Sequence, residues 1–330
     1  QLMEIAEKYY ISIIGPNCLG VINTDNQVRL NASFARSIPH EGNIGFISQS
    51  GALCTGVLDY ARAHHIGFSK FISFGNKPDV NETDLLYYLA DDEKTSIILL
   101  YLEEISDGRT SEGASAAASH TGSIAGSDKI CDAACEQSGI IRCNTIEDMF
   151  NIAVAFAYQP RPETNKVAII TNAGGPGVLA TDAVISEGLK ISRFSDETTD
   201  ILRRSLPATA NINNPVDVIG DARADRYKVA ISAVCEDPDV GGVFVILTPQ
   251  SMTEINEIAR EVINVSHRYE KPVYASFMGE ADVGEGIQLL RRNRIPHYFL
   301  PESMAKSFAG TYHFNELAKR TKTKPKHFGD

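Results

Sequence analysis

A single histidine lies in a stretch of small and polar residues. Residues 119–126 read SHTGSIAG, so that His120 has only serine, threonine, alanine, glycine and one isoleucine around it. An imidazole that is partly neutral near pH 7 is nucleophilic and can carry a phosphoryl group. Small neighbours would give such a histidine reach and room, whereas the alternative is a solvated loop histidine without a chemical role.

Two glycine-containing turns have the composition of anion sites. In FISQSGALCTGVLDY (46–60), Gly51 allows a sharp turn after a strand, and Ser50 can cap the following helix. The Ser50 hydroxyl and the free N–H groups of that helix start could together bind an anion. The segment IITNAGGPGVLATDA (169–183) repeats this plan with three glycines, Gly174, Gly175 and Gly177.

Neither turn matches the phosphate-loop pattern GxxxxGK[ST] or the dinucleotide pattern GxGxxG. A tight strand-to-helix connection without a ligand is therefore the alternative for each turn taken alone. Two such turns together with His120 favour a phosphate that is transferred between two helix N-termini.

The elements that must position these residues alternate along the chain. Apolar runs predict strands, and stretches with helical spacing of apolar residues predict helices between them. The predicted strands of the first half are at 11–15, 43–51, 70–75 and 95–104, with helices at 52–65 and 80–92. In the second half, the first predicted strand begins at residue 166. The other strands are at 189–195, 240–250, 271–279 and 295–300, with a helix at 252–270. This alternation predicts an α/β fold with parallel sheets flanked by helices.

The length of 330 residues allows two domains at about 150 residues each. Pro160 and Pro162 mark a linker, because proline interrupts helices and stiffens extended chain. We expect a helix at 146–159 to lead into the second domain. The predicted domains are residues 1–143 and 144–320, and residues 321–330 form a basic tail.

Composition narrows the class of protein. The net charge of −11 argues against binding nucleic acid through a basic surface. No apolar stretch approaches the roughly 20 residues that span a bilayer. The six cysteines form no CxxC pair and have no zinc-finger spacing, which indicates reduced thiols, no metal site and a cytoplasmic setting.

Six ordered motifs resemble the NDP-forming acyl-CoA synthetases, which include ADP-forming acetyl-CoA synthetase and are related to succinyl-CoA synthetase. They are GPNCLGVIN (15–23), GFISQSGAL (45–53), SFGNKPDVNETDLL (73–86), ILLYLEEISDGR (98–109), AAASHTGSIAGSD (116–128) and TNAGGPGVLATDA (171–183). The resemblance extends to about residue 318. It implies two flavodoxin-like, succinyl-CoA synthetase-like domains, the first of which carries a phosphohistidine loop.

The resemblance also implies further domains on either side of these two. In the family a CoA-binding Rossmann domain precedes these domains and an ATP-grasp domain often follows, so we expect this chain to be a fragment without either. The ATP-grasp part would be a fused domain or a separate subunit, in a homo- or hetero-oligomer. Family members have a helix and a strand where Arg109 here runs directly into Thr110. We expect that part of the first domain to be absent from this sequence.

The implied reaction converts acyl-CoA, ADP and phosphate into acid, CoA and ATP, reversibly. His120 matches the family nucleophile, and Glu103 matches the carboxylate that orients it, with Glu104 as the competing choice or a solvated strand end as the alternative. The glycine turns would bind phosphate. The positions that match the CoA or substrate segment are Asn17, Cys18, Gly75 and Asn76. Mg²⁺ would accompany the nucleotide on the ATP-grasp domain.

The sequence is also compatible with other functions of the chain and other roles of single residues. The chain could be a catalytically silent, CoA- or acyl-CoA-binding regulatory module of a protein acetyltransferase, although such regions have lost the histidine. Cys18 could be only a small packed residue, and Asp217 could be a structural turn cap or a weak site candidate. A response regulator would need an aspartate at the strand end instead of His120. The motifs leave the acyl group and the choice of ADP or GDP undetermined.

Overall fold

The computed structural model describes residues 2–103 and 128–320. The chain divides into two units, Gln1–Arg142 and Cys143–Asp330, and each is described by itself. His120 and Glu104 lie outside the described residues.

The first unit is built on a five-stranded mixed sheet. Its strands are β1 (Gly20–Asn23), β2 (Leu30–Ser33), β3 (His40–Ser48), β4 (Gly67–Ser73) and β5 (Ile97–Tyr101), in the order β2-β1-β4-β3-β5. Strand β3 is parallel to β4 and β5, whereas β1 is antiparallel to both β2 and β4. The described helices are α1 (Leu2–Lys8), α2 (Gly51–Ala63), α3 (Glu82–Ala90) and α4 (Asp128–Ser138).

Two features of this sheet differ from the prediction. The strand predicted at 11–15 is wrong: this segment lies beside the loop after β4 through two hydrogen bonds, Ile13 N–H to Asp79 Oδ2 at 2.6 Å and Val80 N–H to Ile13 O at 3.3 Å. The antiparallel pair β1–β2 was not predicted, because its two four-residue strands carry no sustained apolar run.

The second unit contains a parallel sheet. Its strands are β6 (Lys166–Thr171), β7 (Lys190–Ile191), β8 (Val216–Asp217), β9 (Gly242–Leu247) and β10 (Val273–Phe277). The order is β10-β9-β6-β7; β7 pairs with the first two residues of β6, and β8 pairs with its last two, Ile170 and Thr171. The helices are α5 (Ile146–Tyr158), α6 (Gly174–Ser186), α7 (Asp196–Ser205), α8 (Ala224–Glu236), α9 (Ile255–Arg268), α10 (Gly284–Arg292) and α11 (Pro301–Arg320). The strand predicted at 295–300 is wrong, since that segment contributes one isolated bridge from His297 to Ala275.

Helices cover both faces of the second sheet. Successive residues of a strand point to opposite faces, and in β6 Val167 and Ile169 belong to one apolar cluster while Ala168 and Ile170 belong to another. All four side chains are fully buried. The near-continuous apolar run of β6 therefore follows from burial on both sides, and the predicted α/β class is confirmed.

Candidate functional site

The turn between β3 and α2 is held by two serines. Ser48 Oγ accepts a hydrogen bond from the Ser50 N–H at 3.1 Å and donates one to the Ser50 carbonyl at 3.1 Å. Ser50 Oγ accepts from the Leu53 N–H at 3.4 Å and so caps α2. A β-carbon on Gly51 would lie 3.2 Å from Leu19 N, which leaves little room for a side chain. The positive end of α2 therefore lies at the carboxyl edge of the first sheet.

Asn17 and Asn76 join two loops at the same edge. Asn17 Nδ2 donates to Asn76 Oδ1 at 3.3 Å, and the Asn76 N–H donates to Pro16 O at 3.1 Å. Gly75 lies between them with φ +60°, and a β-carbon there would be 2.2 Å from Pro16 O. The backbone crossing therefore requires glycine at position 75. We name this pair of loops, residues 15–18 and 74–77, the asparagine clasp.

Cys18 lies directly beside the α2 turn. A β-carbon on Gly51 would be 3.5 Å from the Cys18 carbonyl carbon, and Cys18 itself is half-buried. Cys54, one turn into α2, is fully buried. Burial raises the pKa of the Cys54 thiol, although hydrogen bonds with Ser48 and Ser73 act in the opposite direction. Cys54 is thus a protonated, packed thiol.

Glu103 follows β5 and is tied to the α2 turn through Gln49. The Glu103 N–H donates to Gln49 Oε1 at 2.7 Å, and the Gln49 N–H donates to Tyr101 O at 3.1 Å. Glu103 is half-buried. These contacts bring the predicted residues of the first unit to one sheet edge: Asn17, Cys18, Ser50, Gly51, Gly75, Asn76 and Glu103.

The turn between β6 and α6 repeats the backbone plan of the first turn. Thr171 Oγ1 accepts from the Ala173 N–H at 3.1 Å and donates to the Ala173 carbonyl at 2.9 Å. Ala173 offers no side-chain cap to α6. Gly174 and Gly175 are exposed, and a β-carbon on Gly175 would meet no atom within 4 Å, whereas Gly177 is packed against Thr171. The first N–H groups of α6 are therefore open to an anion.

In each turn, the amide side chain that follows the hydroxyl residue, Gln49 or Asn172, bonds to the segment that follows the neighbouring strand of the sheet. Asn172 exchanges two hydrogen bonds of 2.9 Å with the backbone of Thr248, as Gln49 accepts one from Glu103. Glu103 and Thr248 each lie two residues after the strand residue that pairs with the hydroxyl residue of the turn. Sequence reasoning missed Gln49 and Asn172; their signal was a polar residue between a hydroxyl residue and the turn glycine, in SQSG and TNAG.

Asp217 ends β8 beside the α6 turn. Its Oδ1 accepts from the Ile219 N–H at 2.9 Å, and its Oδ2 lies 3.8 Å from the place of a β-carbon on Gly174. The hydroxyl of Tyr227 donates to Ile246 O at 2.9 Å. Burial raises the pKa of Tyr227 well above its usual value, and the charge of Asp217 adds to this effect. A carboxylate thus lies next to the open helix start.

Neither edge resembles a metal centre. Among residues 2–103 and 128–320, no three His, Cys, Asp or Glu side chains are grouped to bind a metal ion. All six cysteines are free. Both edges instead present backbone N–H groups at a helix N-terminus, which can bind an anion.

Comparison with known proteins identifies the family. The succinyl-CoA ligase-like flavodoxin domain matches residues 41–110 and 106–156, and the ligase-CoA domain matches residues 167–320. Subunit alpha of the ADP-forming acetate–CoA ligase II of Pyrococcus furiosus is 42% identical, over 97% of this chain and 74% of that subunit. The chain belongs to the family of ADP-forming acetyl-CoA synthetases.

Other members of this family agree in sequence and in structure. The ADP-forming acetate–CoA ligase of Methanocaldococcus jannaschii is 44% identical over 96% of this chain and 48% of that protein. The dinucleotide-forming acetyl-coenzyme A synthetase 1 of Ca. Korarchaeum cryptofilum, solved with phosphate and ADP, superposes with a TM-score of 0.91 at 31% identity and covers 98% of this chain and 76% of that one. The chain spans about half the length of the first curated relatives it matches.

The comparisons also bear on the first domain. The flavodoxin-domain match is in two pieces that overlap at residues 106–110. The alignment with the M. jannaschii protein runs over 340 positions, although this chain has 330 residues. Relatives therefore contain residues that this chain lacks.

Within the described part of the chain, no helix has both the length and the apolar character needed to cross a membrane.

Proposed function

We propose that this chain is the acyl-transferring and phosphohistidine-bearing part of an NDP-forming acyl-CoA synthetase. The overall reaction would be acyl-CoA + ADP + phosphate to acid + CoA + ATP. The observation that carries the proposal is the convergence of Asn17, Ser50, Asn76 and Glu103 at one sheet edge in a member of this family.

The chemistry would proceed in three steps. A phosphate oxygen attacks the thioester carbonyl, the C–S bond breaks, and CoA leaves as the thiol with an acyl phosphate remaining. His120 then attacks phosphorus, the P–O bond to the acyl group breaks, and the carboxylate leaves. Finally ADP attacks the phosphohistidine, which restores His120 and yields ATP. The substrate assay identifies the acyl group and distinguishes ADP from GDP.

The first edge would serve the first two steps. The amides of the asparagine clasp can donate to a carbonyl or phosphate oxygen, and the positive end of α2 stabilises the developing negative charge. Glu103 would accept a hydrogen bond from the His120 imidazole and orient it, in preference to Glu104. Cys18 would line the thiol end of CoA.

The second turn would hold the phosphoryl group at another stage. Gly174 and Gly175 expose backbone N–H groups at the start of α6, without a capping side chain in competition. Gly177 lets the helix pack against Thr171. This combination suits an incoming phosphoryl anion.

The proposal includes the domain limits and the partners. Residues 1–143 would form the flavodoxin-like domain with the histidine loop and residues 144–320 the second one, followed by a basic tail. An ATP-grasp domain or subunit would bring the nucleotide with Mg²⁺, and a CoA-binding Rossmann domain would bind CoA, in a homo- or hetero-oligomer in the cytoplasm.

The assay is formation of ATP or GTP by the enzyme with the proposed CoA-binding and ATP-grasp parts present, from ADP or GDP, phosphate and acetyl-, branched-chain or aryl-CoA. We expect ATP with at least one thioester, and a roughly 10²-fold or larger loss of kcat in Glu103→Gln, because the histidine would lose its orienting base. Asp59→Asn, in an exposed pair with Arg62, is the matched control and should keep full activity. Acyl-CoA binding without ATP formation would favour the silent regulatory module.

A further inference from the structure

The second unit has an open pocket of about 990 Å³ beside β7. This volume is at the upper end of the range for ligand pockets. Lys166, the first residue of β6, lies in its wall, whereas the α6 turn follows the last residue of that strand. The six-residue strand separates the two by about 20 Å. The pocket is therefore distinct from the proposed phosphate site.

The acidic groups in the wall already have partners. Asp237 accepts hydrogen bonds from the N–H groups of Ser195, at 2.8 Å, and Asp239, at 2.9 Å. Burial alone would raise the pKa of Asp237, but these hydrogen bonds outweigh it and lower the pKa. Asp239 pairs with Lys166 and accepts from the Arg193 N–H at 3.1 Å. The carboxylates thus support the wall and leave little capacity for a cation.

Two cations of the wall have no such partner. In the described part of the chain, the side chains of Lys190 and Arg193 make neither an ion pair nor a hydrogen bond, and both are exposed. The formal charge of the wall is positive in a chain whose net charge is −11. A site of this charge attracts an anion, and a guanidinium can bind a carboxylate or phosphate through two hydrogen bonds.

Part of the remaining wall is apolar. Ile185 is 56% exposed. Ile191 and Phe194 line the same pocket and are half-buried. These residues offer a hydrophobic surface next to the two free cations.

We infer that this pocket binds an organic anion of nucleotide size, with a phosphate or carboxylate at Lys190 and Arg193 and an aromatic or apolar body against Ile185 and Phe194. The inference is independent of the proposed synthetase reaction.

The chain has no tryptophan, so Ile185→Trp places a single indole in the pocket wall. Titration of this variant with AMP or 2-naphthoate should change the indole fluorescence saturably, whereas adenosine and ribose 5-phosphate, which each lack half of the required chemistry, should bind at least about tenfold more weakly. A response to AMP alone assigns phosphate, and a response to naphthoate alone assigns carboxylate.

Calorimetry measures the affinity for the same anions in the chain without the Ile185→Trp substitution. Lys190→Met with Arg193→Met should weaken the better anion about tenfold or more. The control is Lys228→Met with Arg260→Met, two exposed cations paired with Glu261 and Glu257 elsewhere on the unit. Failure of both anions to bind, or equal affinity in the two double variants, would overturn the inference, whatever the result of the ATP-forming assay.

Discussion

At the scale of the residue, Gly75 shows how closely the first edge is built. Its left-handed backbone disfavours a side chain, and a β-carbon there would lie only 2.2 Å from Pro16 O, which excludes one. The flanking asparagine, Asn76, then reaches Asn17. One glycine therefore determines whether the asparagine clasp forms.

Gly75→Ala should lower the free energy of unfolding by about 2 kcal/mol, because alanine at positive φ is strained and its β-carbon collides with backbone. Urea denaturation of the chain measures this. Gly56→Ala is the matched control: a β-carbon there meets no atom within 4 Å in α2, so it should stabilise by roughly 0.5–1 kcal/mol. Equal effects of the two changes would refute the account of the clasp.

Asp217 should select the anion at the α6 turn. Phosphate still carries a proton near pH 7 and can donate it to a carboxylate in a hydrogen bond, whereas sulfate has no proton to donate and is repelled. Asp217→Asn should therefore make sulfate about tenfold more inhibitory in the ATP-forming assay. Asp221→Asn, in an ion pair with Arg226, should leave sulfate inhibition unchanged. An unaltered ratio of phosphate to sulfate affinity in Asp217→Asn would contradict this role.

At the scale of the element, β4 is anchored to the end of α3 by a buried ion pair. Lys70 Nζ lies 2.8 Å from Asp92 Oδ2, with side chains 6% and 16% exposed. Burial raises the pKa of Asp92, but the hydrogen bonds from Lys70 and Thr95 outweigh it and lower the pKa below 3.8. The carboxylate is thus stabilised in the folded chain.

Asp92→Asn should cost about 3 kcal/mol of stability, because it leaves the Lys70 ammonium buried without its counter-charge. Asp200→Asn, in an exposed pair with Arg203, should cost under about 0.5 kcal/mol. Since the folded pKa of Asp92 is depressed, its contribution is complete above pH 3.8 and is lost as the pH falls through the folded pKa. Denaturation from pH 5 to pH 2 should show this loss in the parent chain and a shallower slope in Asp92→Asn.

The elements also show what the sequence could and could not predict. Helical spacing predicted helices at 52–65 and 252–270, and the observed helices are Gly51–Ala63 and Ile255–Arg268. Local pattern misplaced the segment 11–15, because its pairing depends on a loop some 65 residues away. The bridging roles of Gln49 and Asn172 depend in the same way on strands that are neighbours only in the folded sheet. Sequence motifs therefore identified the candidate site residues, whereas the contacts between those residues could be seen only in the folded structure.

At the scale of the whole molecule, the two units present one turn design twice. A hydroxyl side chain closes each turn and an amide side chain ties it to the adjacent strand. The difference lies at the cap, which is Ser50 in the first unit and Ala173 in the second. We therefore expect the second turn to bind the phosphoryl group with more of its backbone N–H groups, and the first to bind it with help from side chains.

The central claim is that His120 carries the phosphoryl group. The direct measurement is incubation of the chain and its ATP-grasp partner with ATP labelled at the γ-phosphate, followed by tests of the bound label in acid and in base. We predict about one base-stable, acid-labile phosphoryl group per chain. The label should be absent in His120→Ala and unchanged in His313→Ala, an exposed histidine of α11. Label that persists in His120→Ala, or no label in the parent complex, would contradict the claim.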